Sequence, residues 1–91
     1  MDKPSGLPGA DLIETGLVDL ARSVESVPAL LVAIGAPRLR QLGVAVPEAP
    51  RDPEHRLYAL LAQDDSDSAH SRYNALIRRL VSYERALACA S

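Results

Sequence analysis

Three observations predict an all-α fold, a small bundle of four to five helices. Two segments place apolar side chains at alternating spacings of three and four residues, the periodicity of an amphipathic helix. Pro, Gly, Ser and Asp residues stand where such helices would begin and end. Phe and Trp are absent, so the core must be built from the aliphatic side chains that pack well between helices. Two of the predicted helices are long, and two or three are short.

The first long helix is predicted at about 10–26. Its apolar side is formed by Ile13, Leu17, Leu20, Val24 and Val27. Gly16 in its interior suggests that a neighbouring helix approaches closely. The preceding residues 1–9 contain two Pro and two Gly, and we expect them to form a flexible tail before a single helical domain over 10–91.

The middle of the chain contains two prolines and an apolar run between candidate helix ends. Pro28 is expected to stop or kink the first helix, because it lacks a backbone donor. The apolar run 29–34, closed by Gly35, fits either a short buried helix or a buried strand. We favour the helix, since a strand there would have almost no partner. Another short helix is predicted over 38–42, before Gly43.

The second half contains a connector and two further helices. Residues 47–53 hold three Pro and are too rich in proline for regular structure. Asp52 is expected to cap a helix that runs to about Gln63. The last and clearest helix is predicted at about 68–89. Its apolar stripe consists of Ala69, Tyr73, Leu76, Leu80, Tyr83 and Leu87, widened by Ile77.

This stripe on the last helix presents more apolar surface than the short helix before it can cover. Either the first helix or a second copy of the chain must then bury the remainder. The sequence therefore leaves a homodimer open.

Composition narrows the class of protein. With 91 residues the chain forms one domain at most, and Cys89 as the single cysteine allows no internal disulfide, which favours a cytoplasmic location. The N-terminus shows no apolar run behind a basic start, and no stretch approaches about 18 apolar residues, so we expect neither a secretory signal nor a membrane span.

No pattern in the sequence predicts catalysis or a cofactor. Asp64, Asp65 and Asp67 lack the glycine and the glutamate of an EF-hand loop, and we interpret them as acidic residues near a helix start. His55 and His70 have no partner at metal-ligand spacing, and Cys89 lies near the end of the chain. We therefore expect a protein that is not an enzyme and binds no metal.

Arginine in the last helix is the one feature that stands out. Residues 1–67 carry six Lys/Arg against eleven Asp/Glu, whereas 68–91 carry four Arg against Glu84 alone. At about 100° per residue, two of these arginines share one flank of the helix and two lie near its back, away from the apolar stripe. The predicted partner-binding residues are Arg72, Arg78, Arg79 and Arg85. Internal ion pairing is the other explanation for them.

These observations lead to two functional hypotheses. The first is a non-enzymatic helical module, an adaptor or an antitoxin-like or inhibitor-like regulator, that binds another protein through a helix face. The alternative is a small DNA- or RNA-binding regulator, because the last two helices resemble a helix-turn-helix in outline. The acidic residues just before the last helix, and the net charge of −2, weigh against that alternative.

Overall fold

The computed structural model describes residues 7–90, and this part of the chain holds four α-helices and no strand. The helices are α1 (Ala10–Ala21), α2 (Val27–Gln41), α3 (Pro53–Asp64) and α4 (Ala69–Ala90). α2 packs against each of the other three, and α3 also packs against α4. The all-α bundle that the sequence predicts is confirmed. The first six residues of the expected tail lie outside the described part, while Leu7 packs on the core.

α1 is shorter than predicted, because it ends at Ala21 rather than near residue 26. Ser23 adopts the left-handed conformation, with φ 61°. Its N–H donates to the Leu20 carbonyl at 3.0 Å, and the Val24 N–H donates to the Asp19 carbonyl at 2.8 Å. These two bonds form a Schellman motif, which closes the helix and turns the chain away from its axis.

Ser26 belongs to the start of α2 rather than to α1. Its Oγ accepts a hydrogen bond from the Ala29 N–H at 3.2 Å, as an N-cap side chain does, and donates to Asp19 Oδ2 at 2.7 Å. Pro28 follows in the first turn, where its missing donor costs nothing. One hydroxyl therefore links the end of α1 to the beginning of α2.

The two short elements predicted over 29–34 and 38–42 are wrong as separate pieces, because α2 runs through both. Residues 29–34 are helical, so the strand alternative is excluded. Gly35 does not stop the helix, since it lies buried inside it against α4. Pro37 is exposed and leaves only the Ala33 carbonyl without its usual helical donor.

Gly43 ends α2 as predicted. It has φ 94°, and its N–H donates to the Arg40 carbonyl, while the Val44 N–H reaches the Leu39 carbonyl at 2.9 Å in a second Schellman motif.

Two arginines fasten the proline-rich linker that follows. Arg40 Nη2 donates to the carbonyl oxygens of Val46 and Pro47 at 3.2 and 3.0 Å. Arg56 Nε donates to the Arg51 carbonyl at 2.7 Å, and its Nη1 pairs with Glu25 at 2.8 Å. The linker is therefore held at both ends.

α3 and α4 begin and end within one residue of the positions predicted. Asp52 occupies the N-cap position of α3, but its backbone is left-handed, with φ 50°, and its side chain makes no capping hydrogen bond. The expected side-chain cap is thus wrong, whereas Pro53 at the start of the helix is correct.

Two glycines set how closely α2 approaches its neighbours. A Cβ on Gly16 would collide with the Pro28 carbonyl and lie 2.5 Å from Val32 Cγ2, so the predicted close approach occurs between α1 and α2. A Cβ on Gly35 would lie 2.8 Å from Leu80 Cδ1. Consequently α2 supplies more buried residues than any other helix: Ala29, Leu30, Leu31, Val32, Ala33, Gly35, Ala36 and Leu39.

The cover of the α4 stripe differs from our expectation. Leu80 and Tyr83 are fully buried, and the remaining large apolar side chains of the stripe are partly buried against the core. α2 and α3 provide most of this cover, because the expected run of short pieces is one continuous helix. The stripe by itself therefore no longer requires a second copy of the chain.

Replacing Gly16 with Ala should destabilise the fold, although Ala normally stabilises a helix by about 1 kcal/mol over Gly. The new methyl group meets backbone rather than a flexible side chain, so we expect a loss of about 1 to 3 kcal/mol in the free energy of unfolding. Urea denaturation measures this change in the free energy of unfolding. Thr15→Ala, at the adjacent exposed position of α1, is the control and should not destabilise. A more stable Gly16→Ala protein would contradict the close packing.

Replacing Ser23 with Gly should raise stability by about 1 kcal/mol, because glycine adopts the left-handed conformation without steric cost. Gly43→Ala makes the opposite change, because it adds a Cβ at a left-handed position. Nothing lies within 4 Å of a Cβ placed there, so its loss of about 1 kcal/mol would come from the backbone alone. Equal stability of the three proteins in thermal unfolding would argue against both Schellman motifs.

Candidate functional site

The start of α4 is built by the acidic turn that precedes it. The Asp67 N–H donates to Asp65 Oδ1 at 3.1 Å, and the Arg72 N–H donates to the Ser68 carbonyl at 2.9 Å. Asp64 pairs with the Arg72 side chain. These contacts give two of the three acidic residues a structural role. Within residues 7–90 no group of three or more His, Cys, Asp or Glu side chains is placed to hold a metal ion.

The four predicted arginines fall into two groups. Arg72 is half-buried, and its Nη1 lies 2.7 Å from Asp64 Oδ2, so internal pairing accounts for this residue. Arg78, Arg79 and Arg85 are exposed, and none of their side chains makes a hydrogen bond or ion pair within residues 7–90. In this part of the chain, three of the four guanidinium groups therefore have no internal partner.

Helix geometry orders these three arginines. Arg78 and Arg85 are separated by seven residues, which places them about 20° apart and about 10 Å along the axis. Arg79 points about 100° away from Arg78, toward the flank that carries Arg72. The centre of the exposed face thus holds Arg78 and Arg85, with small or polar residues around them: Ser71, Asn74, Ala75, Ser82, Ala88 and Cys89.

The single acidic residue of α4 does not lie among these arginines. Glu84 is half-buried and faces α2, since its Oε2 would lie 2.9 Å from a Cβ on Gly35. Burial raises the pKa of its carboxyl above the usual range, and the positive charge of Arg38 opposes part of that rise. The outward face of α4 is therefore positive, without a neutralising carboxylate of its own helix.

Two tyrosines on α4 have pKa values above the ordinary tyrosine value. Burial, followed by the negative charge of Glu14, raises the pKa of Tyr83. Burial and the charge of Glu54 raise the pKa of Tyr73. Both hydroxyls therefore stay protonated at neutral pH, and the tyrosines act as apolar side chains with a polar tip.

An aromatic contact between α3 and α4 escaped the sequence analysis. The rings of Tyr58 and Tyr73 are tilted, with centroids 5.7 Å apart, and the His70 ring lies 6.5 Å from Tyr58. His70 is exposed, with Nε2 3.2 Å from the Asn74 amide nitrogen. These rings meet because α3 packs against α4. No local spacing in the sequence predicts this contact.

An open groove was also missed. It has a volume of about 330 Å³ and lies between the turn after α1 and the proline-rich linker. Its walls are Leu20, Ser23, Val24, Glu25, Glu48, Ala49 and Pro50. Glu25 at its rim is already paired with Arg56.

Within residues 7–90, the cysteine and the two histidines lie apart from one another. Cys89 is exposed in the last turn of the helix, whereas His70 lies in the first, about 28 Å away along the axis. His55 is exposed on α3.

Comparisons of this chain with protein-family models, with curated proteins and with solved structures give no match. In residues 7–90 no helix combines the length and the apolar character needed to cross a membrane. The candidate site is accordingly defined by the side chains of α4 and by what surrounds them.

Glu84→Gln should stabilise the protein near neutral pH, and the gain should disappear at about pH 3, below the ordinary carboxyl pKa. The folded-state pKa of Glu84 is raised, so its contribution to stability is fully present below the unfolded pKa and is lost as pH rises through the folded pKa. Gln keeps the shape of the side chain without its charge. Unfolding curves at the two pH values measure the difference, and an equal gain at both would contradict the prediction.

Proposed function

We propose that this protein is a non-enzymatic binding module that captures an acidic partner protein through the exposed face of α4. The observation that carries this proposal is the set of three guanidinium groups, on Arg78, Arg79 and Arg85, that are exposed and unpaired within residues 7–90. Arginine presents a planar array of donors that matches a carboxylate in a bidentate arrangement.

The use of arginine elsewhere in the chain supports the proposal. Arg40, Arg56 and Arg72 each bind a carbonyl or carboxylate oxygen within the fold. Solubility alone would be served equally well by lysine, yet the chain has a single lysine, Lys3. On the outer face of α4, residues 7–90 supply no acceptor for the guanidinium groups. Their donors are therefore available to an oxygen acceptor on a partner.

Charge also bears on which partner fits. A two-fold dimer that pairs α4 with α4 would place Arg78 and Arg85 of one copy against the same residues of the other. Such like charges repel at close range. Nucleic acid would meet Asp65 and Asp67 just before α4, which are exposed. An acidic protein surface avoids the first repulsion and tolerates these carboxylates at the rim.

Replacing both Arg78 and Arg85 with Glu should abolish partner capture while leaving the helical circular dichroism spectrum intact, because both side chains are exposed. The measurement is a pull-down from nuclease-treated extract of the source organism, followed by mass spectrometry. The double variant Arg22→Glu/Arg51→Glu makes the same change in charge at two exposed arginines outside α4 and should keep the partner.

Unchanged capture by the α4 variant would reject the proposal. Loss of capture on nuclease treatment of the wild-type extract, together with a steep fall of binding with salt, would assign the arginines to nucleic acid instead. Loss of helical structure in the α4 variant would assign them to internal ion pairs.

A further inference from the structure

An apolar stripe borders the arginines of α4 on one side. Val81 and Tyr58 are two of the large apolar side chains that remain exposed in residues 7–90, at 37% and 39%. Between them lie Tyr73 and Ile77, which are half-buried against the core. Tyr73, Ile77 and Val81 follow one another at four-residue spacing, and Tyr58 contacts Tyr73 from α3.

The stripe and the central arginines lie side by side on the helix. Taking Tyr73 as the origin, Ile77 and Val81 lie at about 40° and 80° around the axis, and Arg85 and Arg78 at about 120° and 140°. Arg79 lies at about 240°, on the opposite flank. One side of α4 therefore carries an apolar ridge about 12 Å long with two positive charges along its outer edge.

Charged groups of both signs lie around this surface. By the same geometry Glu84 lies at about 20°, one turn beyond Val81. It is half-buried between Arg38 and Gly35 of α2. Glu54 is close enough to Tyr73 to raise its pKa. The positive edge thus lies toward the Val81 end, while the exposed carboxylates of Glu54 and Asp64 lie toward the Tyr73 end.

We propose that this composite surface, formed by Tyr58, Tyr73, Ile77 and Val81 with Arg78 and Arg85, binds an acidic amphipathic helix. The inference rests on the proposed function and specifies the partner for that face. An apolar ridge with four-residue spacing packs into the groove between two ridges of another helix. Two carboxylates seven residues apart on that helix would match Arg78 and Arg85, which share this separation.

Other occupants fit the surface less well. A second copy of α4 would set arginine against arginine, as described above. Nucleic acid would gain two phosphate contacts but would leave Ile77 and Val81 without an apolar partner. Tyr and Arg are the residues that most often dominate the energy of protein interfaces, and this surface provides two of each.

A displayed library of helix-forming peptides, about five turns long, tests the inference with the full-length protein as bait. We expect enriched peptides to carry Leu or Ile at spacings of three and four residues, with Asp or Glu two turns apart on the flank of that stripe. Enrichment of peptides without this pattern, or no enrichment above a library of scrambled sequences, would overturn the inference.

Fluorescence anisotropy with an enriched peptide then locates the contact. Val81→Asp, and separately Arg78→Glu/Arg85→Glu, should weaken binding by about tenfold or more. Val18→Asp alters an exposed valine of α1, and Arg22→Glu/Arg51→Glu makes the matched change in charge outside α4. Both variants should change binding less than about twofold. Equal effects of Val81→Asp and Val18→Asp would also overturn the inference.

Failure of this inference can be told apart from failure of the proposed function. If the pull-down depends on Arg78 and Arg85 but Val81→Asp leaves both the pull-down and the peptide unaffected, the arginine face binds a partner of another kind. If the pull-down does not depend on these arginines, the proposed function itself fails. Val81→Ser provides a milder variant should Val81→Asp perturb the circular dichroism spectrum.

Discussion

The contact of α2 with its neighbours at Gly16 and Gly35 is the constraint on which the rest of the fold depends. A Cβ at Gly16 would collide with the backbone carbonyl of Pro28, and a Cβ at Gly35 would displace the side chains of Leu80 and Glu84. Through these two contacts α2 becomes the central helix, and a small chain without Phe or Trp gains a core of closely packed aliphatic side chains. The contact at Gly35 and the packing on α3 together place α4 and set the side that it turns outward.

The sequence predicted the second half of the fold better than the first. The α3 and α4 helices have strong start signals and clear periodicity, so their bounds were nearly correct. In the first half, apolar periodicity and the positions of Gly and Pro predicted the wrong helix ends. Val24 and Val27 continued the apolar period of α1, yet Ser23 turns the chain before them. Gly35 and Pro37 indicated breaks, yet tertiary packing keeps α2 continuous, because burial against three helices outweighs the local cost of these residues.

The candidate site was predictable to a similar extent. The exposure of Arg78, Arg79 and Arg85 followed from helix periodicity, since all three avoid the apolar stripe. The pairing of Arg72 with Asp64 depended on the path of the turn between α3 and α4. The neighbouring surface of Tyr58 and Val81 could not be found from one helix alone, because Tyr58 comes from α3 and its contact with Tyr73 is set by helix packing.

The linker after α2 has a mechanical consequence. Pro47 and Pro50 already restrict its backbone, and Arg40 and Arg56 bind its carbonyl oxygens at Val46, Pro47 and Arg51. Such a segment behaves as a semi-rigid spacer and not as a flexible linker, because little conformational freedom remains in its backbone. Displacement of α3 would therefore be transmitted to the C-terminal end of α2, so that a load applied to the α3–α4 face is shared by the helix at the centre of the bundle.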